Sequence, residues 1–229
     1  PVKFIYVNPT FHNPTGVTMS LKRRKDLLVL AKKYRVPIVE DDPFSLIYFG
    51  KKPVPPLKAL DQDNYVIHLQ SFSKYLFPSL RVALLVAPEG IISNLSTIKQ
   101  RIDLHSNNLT QIAVHAYLTE GRLSVHAARL RQAYSARLSL IREIVKDMPE
   151  IRCSMPEGGV FLWCRIPSQV RAERLLQTAL RKGVSFVPGN WMSGVGLGEN
   201  YLRLAYTQPS LDLLKPGFEM IREAISEYQ

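Results

Sequence analysis

Over the first half of the chain, apolar positions fall into short blocks closed by polar turns. Phe4 to Val7 is an apolar run of strand length that stops at Asn8-Pro9-Thr10. Ser20 is suited to cap a helix, and Leu21, Leu27, Leu28, Ala31 and Tyr34 then recur on one side of a helix running to about Tyr34. Val36 to Val39 reads as a second strand, so the opening predicts a βαβ unit whose crossover helix makes the two strands parallel. Residues 51–63, rich in proline and polar side chains, predict an excursion over the surface. Val66, Ile67 and Leu69 make a strand of the kind that is covered on both faces, and Arg81 to Ala87 is another strand.

Beyond residue 90 the spacing lengthens. Ile91 to Lys99 and Gln111 to Leu118 have helical spacing, and Ser124 to about Met148 has the length of a long helix, with Leu130, Tyr134, Leu138, Ile141 and Val145 at helical intervals. Pro149 ends it. Glu157-Gly158-Gly159 gives a tight turn into a strand through Val160 to Trp163. Val184 to Val187 and Tyr201 to Tyr206 supply further strands, with helices at Glu173 to Lys182 and Leu211 to Tyr228. The pattern predicts an α/β protein with a mostly parallel sheet and a compact α/β lobe at its end.

Composition narrows the class. A chain of 229 residues with 46% hydrophobic content buries a sizeable core, and no apolar run approaches the roughly 20 residues of a membrane span. No signal-peptide pattern is present at Pro1-Val2-Lys3, and two cysteines without a disulfide framework fit a reducing cytoplasm, so a cytoplasmic protein is expected. Cys153 and Cys164 show neither metal-ligand spacing nor a disulfide framework and predict two buried thiols. The net charge of +11 favours contact with nucleic acid or phosphorylated ligands. Much of it, including Lys22, Arg23, Arg24 and Lys25, reads as a solvated helical face. No metal site is expected, and His68, His105 and His115 read as packed or surface histidines.

Candidate chemistry gathers where strands end, the place at which α/β sheets hold ligands. After the third strand comes Ser71-Phe72-Ser73-Lys74, then Arg81. A lysine there can act as a nucleophile toward a carbonyl, and two hydroxyls with an arginine suit a phosphate. The string therefore fits an aldehyde that carries a phosphate, and it equally fits a solvated surface loop. After the first strand comes Asn13-Pro14-Thr15-Gly16, which by itself is any turn. After the second comes Glu40-Asp41-Asp42, which by itself suits a helix cap or a solvated loop. Arg203 stands in an otherwise apolar strand and needs an anion, either a ligand carboxylate or an internal ion pair.

Ser71-Phe72-Ser73-Lys74 followed by Leu76-Phe77-Pro78-Ser79-Leu80-Arg81 resembles the cofactor-lysine segment of fold-type I pyridoxal phosphate enzymes, the class I/II aminotransferase group. Together with Pro55-Pro56-Leu57-Lys58-Ala59-Leu60-Asp61 and Arg129-Leu130-Arg131 with Tyr134, it is most similar to the aminotransferase-like domains of MocR-type regulators of the GntR superfamily. The resemblance runs from about Phe4 to the C-terminus. It implies pyridoxal 5'-phosphate as cofactor, carried on Lys74, which also shuttles the proton in transamination. It implies Asp41 beside the pyridine nitrogen, Asn13 on the ring oxygen, Ser71, Ser73 and Arg81 as further cofactor contacts, and Arg203, with Asn13, at the substrate. It implies an amino acid or 2-oxo acid ligand and a homodimer. DNA contact would come only through a helix-turn-helix module outside this chain.

The resemblance also sets the domains: residues 1–123 as the C-terminal part of the cofactor domain, 124–148 as a linking helix and 149–229 as the small domain. Two departures stand out. Phe44 occupies the place of a tyrosine that donates to the ring oxygen in many relatives, and Gln70, Ser79 and Ala83 stand where relatives often have glycine. The N-terminal third of the cofactor domain, with its phosphate loop and ring-stacking aromatic residue, is expected to precede Pro1, and a piece without it is expected to bind cofactor poorly. The expected role is the effector domain of a regulator, with a free-standing aminotransferase as the alternative.

Overall fold

The computed structural model describes residues 2–228. Its residues group into two compact units, one of residues up to Phe11 with Val17–Leu130, the other of His12–Gly16 with the chain from Arg131 onward.

The first unit begins with β1 (Ile5–Val7), α1 (Leu21–Tyr34) and β2 (Ile38–Asp42). Ser20 caps α1 by accepting a hydrogen bond from the Arg23 amide at 3.4 Å, and Arg35 ends it in the left-handed region with φ 53°. The short helix α2 (Leu57–Leu60) leads to β3 (Val66–Ser71), then β4 (Ala83–Val86), α3 (Glu89–Asp103) and α4 (Asn108–Thr119). The sheet order is β1-β2-β3-β4, with β1, β2 and β3 parallel and β4 antiparallel. Ala31, Ile38, Leu57 and Val66 form a buried cluster, with Ile5, Val7, Leu27, Leu28 and Tyr65 packed on it. This is the mostly parallel α/β sheet that the spacing predicts.

The second strand lies later than expected and takes in Glu40, Asp41 and Asp42, because its ladder with β3 continues to Asp42 opposite Gln70. A carboxylate can be buried here because its partners are ready. Glu40 Oε1 and Oε2 accept the Leu57 and Lys58 amides at 2.6 and 2.9 Å, and His68 Nδ1 lies 2.9 Å from Oε2. Arg24 corrects the reading of α1 as carrying a wholly solvated basic face. It is fully buried, donates to Met19 O, Pro55 O, Pro9 O and Thr10 Oγ1, and lies 3.7 Å from Glu40. Those acceptors belong to connecting segments, which helical periodicity does not register.

The helix α5 (Arg122–Lys146) runs on from the first unit's residues into the second's. The second unit adds β5 (Arg152–Ser154), β6 (Phe161–Arg165), α6 (Ala172–Arg181), β7 (Val187–Pro188), β8 (Tyr201–Ala205) and α7 (Leu211–Ser226). Its sheet is antiparallel in the order β5-β6-β8-β7. Leu162, Cys164, Leu202 and Leu204 alternate inward, while Phe161, Trp163, Tyr201 and Arg203 share the other face.

The expectation of free thiols fails. Antiparallel register sets Cys153 directly opposite Cys164, with Cα atoms 3.9 Å apart, and the two are joined as a disulfide. An eleven-residue separation carries no such signal until the hairpin around the Pro156–Gly159 turn is known.

Candidate functional site

In the first unit the candidate residues sit at the C-terminal ends of β2 and β3. Phe72 and Tyr75 are buried and anchor the turn that follows β3, the Phe72 carbonyl accepting the Tyr75 and Leu76 amides at 3.2 and 2.9 Å. Between these anchors Lys74 is thrust outward. It is exposed and its ammonium has no partner among the described residues. Ser71 Oγ accepts the Ser73 amide at 3.2 Å, and Arg81, in the left-handed region at φ 52°, places an exposed guanidinium that donates a long 3.4 Å bond to Pro78 O.

Asp41 lies on the face of β2 that also carries Val39, and Val39 is paired with Tyr6 of β1. The Tyr6 hydroxyl donates to Asp41 Oδ2 at 2.6 Å, and Asn8 Nδ2 donates to the Asp41 carbonyl at 2.7 Å. Burial, the bond to Asp41 and its negative charge together push the Tyr6 phenol up to about 12. The opposite face of β2 holds Glu40 and Asp42 with His68. Burial alone would lower the His68 pKa, but the Glu40 bond and charge, with Asp42 and Asp41, leave it raised. Phe44 is buried and brings no hydroxyl.

In the second unit Arg203 Nη1 donates to Asn13 Oδ1 at 2.8 Å, and the guanidinium lies over the Phe161 ring at 4.1 Å. Its Nε is buried with no hydrogen-bond partner among the described residues, and burial lowers the guanidinium pKa. The turn holding Asn13 is closed by the Gly16 amide donating to His12 O at 2.7 Å. Gly16 has φ +71°, which strains any residue with a Cβ, and a Cβ there would also press on Pro156 at 3.0 Å. A cavity of about 510 Å³ is lined by Arg203 with Phe186, Val187, Leu213 and Met220.

Of the predicted site residues, Asp41, Ser71, Ser73, Lys74 and Arg81 thus fall in one unit and Asn13 and Arg203 in the other. Sequence reading missed Tyr6 and Asn8. The available signal was positional, since both stand where the first strand ends beside the second.

Comparisons with known proteins place the chain in a family. The model of the family "Aminotransferase class I and II" matches residues 1–215, and the chain belongs to that family. It is 36% identical over 228 residues to aromatic-amino-acid aminotransferase 1 of Thermococcus litoralis, covering 99% of this chain and 55% of that protein. It is 34% identical to the helix-turn-helix-type transcriptional regulator YdfD of Bacillus subtilis, over 97% of this chain and 46% of the regulator. Among solved structures, the kynurenine aminotransferase of Pyrococcus horikoshii, a complex with pyridoxamine phosphate, superposes with a TM-score of 0.94 at 37% identity, covering 99% of this chain and 56% of that one. The chain therefore spans about half the length of the relatives it matches. It is an aminotransferase-like domain of a fold-type I, pyridoxal phosphate-dependent family.

The described residues of the first unit fit that cofactor: an exposed amine with no partner among the described residues, a carboxylate held at a strand end, and two hydroxyls with an arginine suited to a dianion.

Proposed function

We propose that this chain is the cofactor- and ligand-binding part of an effector domain in a MocR/GntR-type transcriptional regulator, taking an amino acid or 2-oxo acid as its signal. The observation that carries the reading is that residues suited to holding the cofactor are kept in this chain while buried Phe44 lacks the hydroxyl that many relatives place near the cofactor ring. Recognition is kept while one group that tunes the ring is absent. The regulator relatives, matched over nearly the whole of this chain, support it.

When bound, pyridoxal phosphate supplies an aldehyde and a ring that accepts electrons from the substrate α-carbon. Lys74 supplies the amine for the aldehyde and carries a proton to and from the α-carbon. Asp41 keeps the ring nitrogen protonated, and Ser71, Ser73 and Arg81 bind the phosphate. Arg203, oriented by Asn13 and backed by Phe161, binds the ligand carboxylate through its planar fork. The full-length protein acts as a homodimer, and its DNA contact lies in a helix-turn-helix module preceding this domain.

A second reading, a free-standing aminotransferase, is favoured by enzyme relatives at 36% and 37% identity. Both readings predict that borohydride reduction followed by peptide mass spectrometry fixes the cofactor on Lys74; a tag on another lysine, or none, rejects both. They separate on DNA. Operator binding that changes with pyridoxal phosphate and an amino acid supports the regulator. Steady transamination with no helix-turn-helix sequence upstream supports the enzyme.

A further inference from the structure

We propose that Tyr6 and Asn8 are positioning residues for Asp41, together fixing one carboxylate oxygen and the backbone so that the second oxygen is presented to the cofactor's ring nitrogen. The inference rests on the reading of Asp41 given above. It starts from the unequal lengths of two strands. The ladder of β1 with β2 ends at Val7 opposite Glu40, whereas β2 continues to Asp42 in register with β3. On its β1 side the Asp41 backbone has therefore run past its neighbour's last rung. Asn8 closes that gap with a side chain, donating Nδ2 to the Asp41 carbonyl at 2.7 Å where a ladder amide would otherwise stand.

The carboxylate itself turns about a soft torsion and needs a separate restraint. Tyr6 provides it through a 2.6 Å bond to Oδ2, a length typical of a hydroxyl donating to a charged oxygen. The phenol keeps its proton throughout the physiological range, so it is always the donor in this pair. Oδ1 has no hydrogen bond from a described residue and remains to meet a protonated ring nitrogen. Tyr6 is 58% exposed, so the ring contributes little as core packing and its hydroxyl contributes most as a donor.

The test uses the full-length protein and the variant Tyr6→Phe, which keeps the ring and removes only the hydroxyl. Three quantities are measured: the pyridoxal phosphate dissociation constant from visible absorbance, the ring-nitrogen resonance with 15N-labelled cofactor, and the melting temperature of the cofactor-free protein. Loss of one charge-assisted hydrogen bond predicts about threefold to tenfold weaker cofactor binding and a moved resonance, with the cofactor-free melting temperature unchanged to within about 2 °C. Asn8→Ala, which loosens the backbone instead, weakens cofactor binding in the same direction. Unchanged affinity and resonance in Tyr6→Phe overturn the proposal, and so does a fall in melting temperature with affinity intact, which marks a purely structural tyrosine. A wild-type protein that shows no cofactor absorbance overturns the reading of Asp41 itself, so the two failures are distinct.

Discussion

Arg203 owes its place to two neighbours with different jobs. Asn13 takes one terminal N–H and sets the plane of the guanidinium, while the Phe161 ring lies across its face and limits hydration. What remains is a fork whose buried Nε has no hydrogen-bond partner among the described residues. A lysine can deliver the charge but not two parallel hydrogen bonds. Arg203→Lys is therefore expected to weaken amino acid or 2-oxo acid binding by about 10- to 100-fold while leaving cofactor affinity within about twofold, both read by titrating the cofactor absorbance. Side chains of this kind were legible in advance because their chemistry conflicts with their setting: a guanidinium in an apolar strand, or a lysine after a buried run. Tyr6 and Asn8 were not legible. A tyrosine in a strand is ordinary, and only the register of β1 on β2 turns it into a partner for Asp41.

The strand β2 divides its work between faces, Asp41 on one side and Glu40 and Asp42 on the other. Glu40 ties the start of α2, His68 of β3 and Arg24 of α1 into one buried network. Glu40→Ala leaves Arg24 buried without its counter-charge and two amides without acceptors, and is expected to destabilise the protein by about 3–5 kcal/mol in urea unfolding. His68 adds a pH dependence. Its folded pKa lies above the ordinary 6.5, so the protonated form is favoured in the fold. That contribution is fully present below about pH 6.5 and is lost as pH rises through the folded value. The melting temperature should thus fall from about pH 6 to pH 8, and His68→Gln should flatten that slope; an equal slope in both proteins would remove His68 as its source. Spacing gave the existence and order of β1, α1, β2 and β3, because each has a clean apolar period. It placed the end of β2 too early, because strands are expected to stop at acidic residues and the partners that make these acids tolerable come from α1, α2 and β3. The disulfide escaped for the same reason, since pairing is a property of register and not of spacing.

At the scale of the molecule, the first unit shows apolar side chains over a wide area. Ile102, Leu104, Leu109 and Ile112 on and between α3 and α4 are exposed, as are Leu84 and Val86 of β4. Exposed apolar side chains in such number favour association. Residues 1–229 expressed alone should therefore self-associate at micromolar concentration in size-exclusion chromatography with light scattering, whereas Leu104→Lys with Ile112→Lys should shift the population toward monomer. A monomeric wild-type piece would show that these side chains are individually solvated. The short Asn13 turn has a different bearing. Its five residues, His12–Gly16, group with the second unit although the chain on both sides of them groups with the first, so the polypeptide passes between the units three times. Cutting the gene at residue 131 would separate Arg203 from its Asn13 acceptor even though every strand of the second unit would still be encoded. Any split-protein or domain-exchange experiment must accordingly graft that pentapeptide along with the C-terminal lobe, as a loop inserted in trans, if Arg203 is to keep its Asn13 acceptor.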